Sequence, residues 1–197
     1  IWQCLASIPI SRAKALYAAG YRYVGRYLYN PSTKNLLEKQ IQTGELATIA
    51  SNGLRCFPIY QTFNNSVDYF SSKQGAEDAE SANFWAKQFG FKNGTIIYFS
   101  VDYDALDGEV LTNILPYFRA LNNYLLSNSG YKIGVYGARN VCQRVCDAGL
   151  ALTSFVCDMS SGFSGNLGYP LPTNWAFDQI STVSIGENDS FIEIDKN

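Results

Sequence analysis

Histidine is absent from these 197 residues. Ser-His-Asp and Cys-His catalysis and every His-ligated metal site are thereby excluded. Acid–base work falls to carboxylates, Tyr, Lys or Cys. Long apolar runs are also lacking: no stretch approaches the roughly 20 residues that would span a bilayer. There is no basic run, and the net charge is −2. That disfavours nucleic acid, whose binding rests on cation–phosphate contacts, and says little against a neutral polymer. Repeats and low-complexity linkers are missing, so residues 1–197 read as a single domain. The sequence starts at Ile1 with neither Met nor a signal segment, as expected of a trimmed fragment or mature domain whose targeting information lies upstream. Cysteine is present as five residues, an odd count that does not make a disulfide framework in a domain this large. Cys142 and Cys146 lie four apart on an expected helix; a metal pair and buried free thiols are both open, although no second pair completes a site.

What is plentiful is aromatic: 14 Tyr and 12 Phe. Such rings build a core, and they also suit sugars, whose CH faces stack on them while hydroxyls meet polar tips. The organising stretch is Gly94 to Ala105. Its apolar run from Thr95 to Val101 predicts a strand covered on both faces. Asp102 and Asp104 follow at once, and continued extension would project both the same way from the strand end that carries chemistry in alternating barrels.

Around it, strands are expected over Ile1–Leu5, Tyr21–Tyr29, Leu54–Gln61 (with an irregular end near Pro58) and Tyr131–Tyr136. Helices are expected over Ser11–Gly20, Leu36–Asn52, Ser72–Phe89, Asp107–Ser127 and Ala138–Ala148. The first closes on Gly20. The third buries Ala79, Ala82, Ala86 and Phe89 and carries Glu77 and Asp78 near its start. Pro116 kinks or delays the fourth. Thr153–Cys157, Trp175–Gln179 and Phe191–Ile194 add three strands without helices. Five strand–helix units and three strands make eight strands, enough to close a barrel.

The segments AKALYAAGYRYVGRYL (13–28), LRCFPIYQ (54–61), GTIIYFSVDYDALD (94–107), YKIGVYGARNVC (131–142) and NWAFDQ (174–179) resemble the glycoside-hydrolase-like domain family of bacterial cell-wall and surface proteins. That family in turn is similar to the family 25 lysozymes, which are muramidases. The resemblance implies an α/β, modified TIM-type barrel: (β/α)5 followed by three strands. The lysozymes' fourth strand ends in Asp-x-Glu, where this chain has Asp102-Tyr103-Asp104. Gln179 and Asp195-Lys196-Asn197 resemble their closing-strand residues. The first-strand Asp of these families is replaced by Gln3, and a neutral amide cannot serve as base or nucleophile.

Two carboxylates across a sugar are the minimum for glycoside hydrolysis. The resemblance makes Asp104 the general acid and Asp102 its electrostatic partner or base; without it, both could be loop carboxylates capping the helix that begins near Asp107. Asp195 faces the same mouth or is a surface carboxylate, and Asp158 follows the sixth strand in the same way. Arg26, inside an apolar strand, must be paired, with one of these Asp or in a structural ion pair. Tyr60, Gln61, Tyr136, Trp175 and Gln179 fall at strand ends as sugar contacts. The expected function is a peptidoglycan-cleaving glycoside hydrolase; a non-catalytic glycan-binding module on the same barrel, with Gln3 as the mark of lost chemistry, is the alternative. No metal or organic cofactor is needed. The resemblance further implies a secreted or wall-associated monomer within a longer chain bearing a peptidoglycan-binding module.

Overall fold

The computed structural model describes residues 2, 3, 6–29 and 39–197, the first two through their backbone alone. The described strands make one sheet. β1 (Trp2–Gln3), β2 (Tyr23–Tyr29), β3 (Arg55–Tyr60), β4 (Ile96–Ser100), β5 (Lys132–Gly137), β6 (Thr153–Val156), β7 (Trp175–Asp178), β8 (Ser181–Ile185) and β9 (Ile192–Lys196) lie in the order β7-β6-β5-β4-β3-β2-β1-β9-β8. β2 to β7 form six successive parallel strands, and the two-residue β1 extends them. β9 runs antiparallel to β1 and to β8. The sheet is a curled half-barrel. Its two outer strands, β7 and β8, are consecutive in the chain: Gln179 N donates to Val156 O at 2.7 Å and Ile180 N to Lys196 O at 3.0 Å, so one bend carries the chain from one rim to the other. The expected eight strands become nine. Ser181–Ile185 was missed because its polar and apolar residues are all partly exposed, as befits an edge strand.

The helices are α1 (Ile10–Ala18), α2 (Glu45–Ser51), α3 (Ser72–Gln88), α4 (Asp107–Glu109), α5 (Leu115–Asn128) and α6 (Arg139–Asp147). Helix α2 begins well after the expected Leu36. Gly44, at φ 78°, stops any helix running through it, and Gln40 instead bridges to Tyr27; residues 36–38 lie outside the described set. Between α4 and α5, Val110–Ile114 is a π turn. It ends just before Pro116, whose missing N–H removes the bond a regular turn would need. Pro58 sits inside β3 without disrupting it, because β3 pairs with β4 only at Ile59 and Tyr60; the irregularity comes at Tyr27–Tyr29.

Alternation along the strands sorts the core. Leu28, Ile97, Phe99, Val101, Ile133 and Val135 face outward onto Ala79, Ala82 and Ala86 of α3 and Phe118, Leu121 and Leu125 of α5. Val24, Ile192 and Ile194 pack against Leu16 of α1 and Ile49 of α2. The concave side is filled by rings: Phe57 stacks on Phe177 at 4.6 Å, and Phe155 meets Tyr136 edge-on at 4.9 Å. Two glycines make room for them. A Cβ at Gly25 would lie 2.8 Å from the Phe57 ring, and one at Gly134 would lie 2.6 Å from that of Tyr98. The concave interior is therefore packed with side chains, and the space over it opens at the mouth.

Four cysteines, Cys56, Cys142, Cys146 and Cys157, are free thiols, the second and fourth buried; Cys4 lies outside the described residues. Among those residues no helix is long and apolar enough to cross a membrane, and no group of three or more Cys, Asp or Glu could hold a metal.

Candidate functional site

Directly above the ring layer, a cleft of about 240 Å³ is lined by Tyr27, Lys39, Gln61, Asp102, Tyr136, Met159, Ser160, Gln179 and Asp195. Strand alternation places them. Gln61 follows β3, Asp102 follows β4, Met159 and Ser160 follow β6, and Gln179 follows β7, so the cleft lies at the C-terminal ends of the parallel strands. Asp195 comes from β9, where the register sets it opposite the backbone of Gln3, itself opposite Gly25. Thr182 donates to Asp195 Oδ1 at 2.8 Å. Gln179 is buried, and its Oε1 accepts from the Tyr136 hydroxyl at 2.7 Å.

Asp102 is a partly buried carboxyl of the cleft. Gln61 Nε2 donates to its Oδ2 at 2.8 Å. Burial pushes its pKa above the usual carboxylate range; the Gln61 hydrogen bond and the charge of Lys39 oppose that without cancelling it. Lys39 stands 5.3 Å over the Tyr27 ring. Burial lowers its pKa, while Asp102 and Asp195 both pull it back up. One cation thus shares a partly dry cleft with two carboxyl groups, and burial drives the Tyr136 hydroxyl far above its ordinary value.

Asp104 is elsewhere. β4 ends at Ser100, and the chain then leaves the extended form: Asp102 N donates to Asn64 O at 3.1 Å and Ala105 N to Tyr103 O at 2.9 Å. The two-residue period fails there. The exposed Asp104 carboxylate accepts from Ser164 N and Oγ, both at 2.7 Å, capping the turn at Ser164–Asn166. Arg26 faces the helices, fully buried, with Nε 2.8 Å from Glu45 Oε1; it is a structural pair, and no Asp of the mouth takes part in it. Tyr60 also faces the helices, because its neighbour Gln61 turns inward. Trp175 opens β7 at the opposite end of the strands, half exposed. Asp158 pairs with Arg139 at 2.5 Å; burial, and then the charge of Asp158, push the pKa of Asp178 up. Of the sequence-derived candidates, the cleft gathers Gln61, Asp102, Tyr136, Gln179 and Asp195, and the backbone of Gln3 lies alongside.

Lys39 was missed because the stretch read as helix. The signal was Gly44, which forbids that helix. Asp78, taken for a helix-start charge, is 3% exposed and accepts from the Tyr69 and Tyr117 hydroxyls at 2.7 and 2.6 Å.

A family model described as Rv2525c-like, glycoside hydrolase-like domain matches residues 14–197. The chain is 52% identical over 195 residues to the uncharacterized protein FadG and 46% over 198 residues to the uncharacterized protein YbfG, both of Bacillus subtilis (strain 168). It is covered to 98% and 96% in these matches, yet spans only 34% and 27% of those relatives. The Tat-secreted protein Rv2525c of Mycobacterium tuberculosis, crystallised with L-tartrate, shares the fold at TM-score 0.77 and 20% identity, over 98% of this chain and 92% of that one. An uncharacterized B. stearothermophilus protein matches at TM-score 0.69 and 16% identity, over 100% and 94%.

Proposed function

The chain belongs to the Rv2525c-like, glycoside hydrolase-like domain family, and from that premise we propose that it is a glycoside hydrolase cleaving the amino-sugar backbone of bacterial peptidoglycan on a modified TIM-type, lysozyme-like barrel. The observation that carries the reading is the meeting of Asp102 and Asp195 in one ring-floored cleft with Gln61, Gln179 and Lys39. Asp102 takes the role of general acid that the sequence alone suggested for Asp104. Burial raises its pKa, the direction that a general acid needs. Its proton passes to the glycosidic oxygen as the C1–O bond breaks, and C1 is taken by a water that Asp195 orients and whose proton that carboxylate accepts, or first by the substrate's acetamido oxygen, which such a water then displaces. Asp104, occupied by Ser164, holds the loop that carries Ser160. No metal or organic cofactor enters the scheme. Secretion fits this role, as does the Tat-secreted neighbour, and the longer relatives leave length for wall-binding modules.

A second reading, a non-catalytic glycan-binding module, is favoured by Gln3, which stands where the related families carry an Asp and pairs in register with Asp195. One experiment separates the two: a digest of purified cell wall, assayed for new reducing ends, with the parent chain and with Gln3→Asp. New ends that vanish in Asp102→Asn support hydrolysis by this site, and ends that persist in Asp102→Asn overturn it. Wall binding without new ends in either background supports the binding module.

A further inference from the structure

The chain has a single methionine, Met159, and the fold puts it in the mouth. It follows β6 and lines the cleft, where it is the one aliphatic side chain among the described residues of the wall. It is 37% exposed. Its backbone is fixed: Met159 N donates to Gln179 O at 2.6 Å, Ser160 N to Cys157 O at 3.0 Å, and Asn166 Nδ2 to Ser160 O at 3.1 Å. The thioether is therefore a standing part of the wall that Asp102, Tyr136 and Gln179 also line.

The described thiols are guarded by contrast. Cys142 and Cys157 are fully buried, and Cys56 and Cys146 are partly buried. Burial pushes Cys56 and Cys157 up to about 12 and raises Cys142 and Cys146 as well. A thiol meets an oxidant as its thiolate, so these sulfurs are protected twice, by cover and by their protons. A thioether has no proton to lose, and it reacts wherever solvent reaches it. Of the described sulfurs, Met159 is the one a small oxidant meets first.

Oxidation changes what the wall offers. A thioether is soft and apolar, and packs on a CH face or a methyl group. A sulfoxide is polar and chiral, with an oxygen that accepts hydrogen bonds. In a cleft of about 240 Å³ the added oxygen also takes space. Resting on the glycan reading of this cleft, we propose that Met159 is a modification site at which hydrogen peroxide reversibly shuts the mouth to glycan. A lone pair of Met159 Sδ attacks one peroxide oxygen, and the S–O bond forms as the O–O bond breaks. The sulfur is oxidised and the peroxide reduced. The departing hydroxide takes the proton from the transferred oxygen and leaves as water. Return to the thioether is the work of thiol-dependent methionine sulfoxide reductases, one class for each epimer.

The test treats the native parent and Met159→Leu with hydrogen peroxide, maps the added oxygen by peptide mass spectrometry, and compares binding to purified cell wall before and after. The expected result is oxygen on Met159 ahead of every cysteine, Cys4 included. Wall binding should be about tenfold weaker in the oxidised parent and should return after both classes of reductase. Whatever its untreated binding, Met159→Leu should lose none of it to peroxide. Oxygen arriving first at a cysteine, an equal loss in treated Met159→Leu, or full oxidation of Met159 with unchanged binding would each overturn the proposal. So would an oxidised parent that has lost its cooperative melt, since unfolding and not the mouth would then explain the loss. A parent that binds no wall and releases no new reducing ends before treatment overturns the glycan reading and the regulation with it, while oxygen on Met159 would still support the modification site.

Discussion

Burial raises the pKa of Asp102 by more than the Gln61 hydrogen bond and the charge of Lys39 lower it. Two predictions follow from that balance. Asp102→Asn should lower turnover about 10²–10⁴-fold, measured as reducing ends per enzyme in whichever background, parent or Gln3→Asp, is active; Asp104→Asn should stay within a few fold. Lys39→Met removes the cation that pulls the Asp102 pKa down, so the carboxyl should hold its proton to higher pH and the alkaline limb of the pH–rate profile should move upward. A limb that moves downward or stays in place would show that Lys39 does not act on Asp102. The sign for stability is the same: a carboxyl whose folded pKa is raised contributes least above that pKa, so the stability it permits is lost as pH rises through it.

At the scale of elements, the strands of Tyr21–Tyr29, Leu54–Gln61 and Tyr131–Tyr136 were legible because apolar runs bounded by turn residues leave few alternatives, and the fourth, Gly94–Val101, most of all. The expected site was only partly legible, for reasons local to particular residues. Periodicity foresaw Asp102 in the mouth, but could not foresee that Asn64 and a tight turn at Tyr103–Ala105 would end the extended backbone and swing Asp104 toward Ser164. Naming both Tyr60 and Gln61 as contacts ignored that neighbours on a strand face opposite ways. Arg26 was foreseen as a charge in need of a partner. The partner is Glu45 of α2, which also accepts from Ile8 N at 3.0 Å and Gln42 N at 2.7 Å. Glu45→Ala would remove the counter-charge of that buried guanidinium, and urea unfolding should report a loss of about 3–5 kcal/mol. Gly134→Ala, which drives a methyl into the Tyr98 ring held by Thr153 at 3.0 Å, should lose about 1–3 kcal/mol in the same assay.

For the whole molecule, binding and cleavage can be weighed against each other by melting. A tetramer of N-acetylglucosamine at about 100 times its Kd should stabilise the fold by about 2.7 kcal/mol, which for a domain of this size is a Tm rise on the order of 5–10 °C. Asp102→Asn should keep that rise while losing turnover; if the rise disappears as well, Asp102 serves binding first. The sheet order also has a consequence for how the protein comes into being. Of the described strands β1 comes first in the chain and is held between β2 and β9, and β9 comes last. On a ribosome the free edge of β1 therefore waits, half paired, until residues 192–196 emerge. The same late strand brings Asp195, so a nascent chain, or one cut before Ile192, lacks both this sheet's final staple and the cleft's second carboxyl: sheet and cleft are completed together.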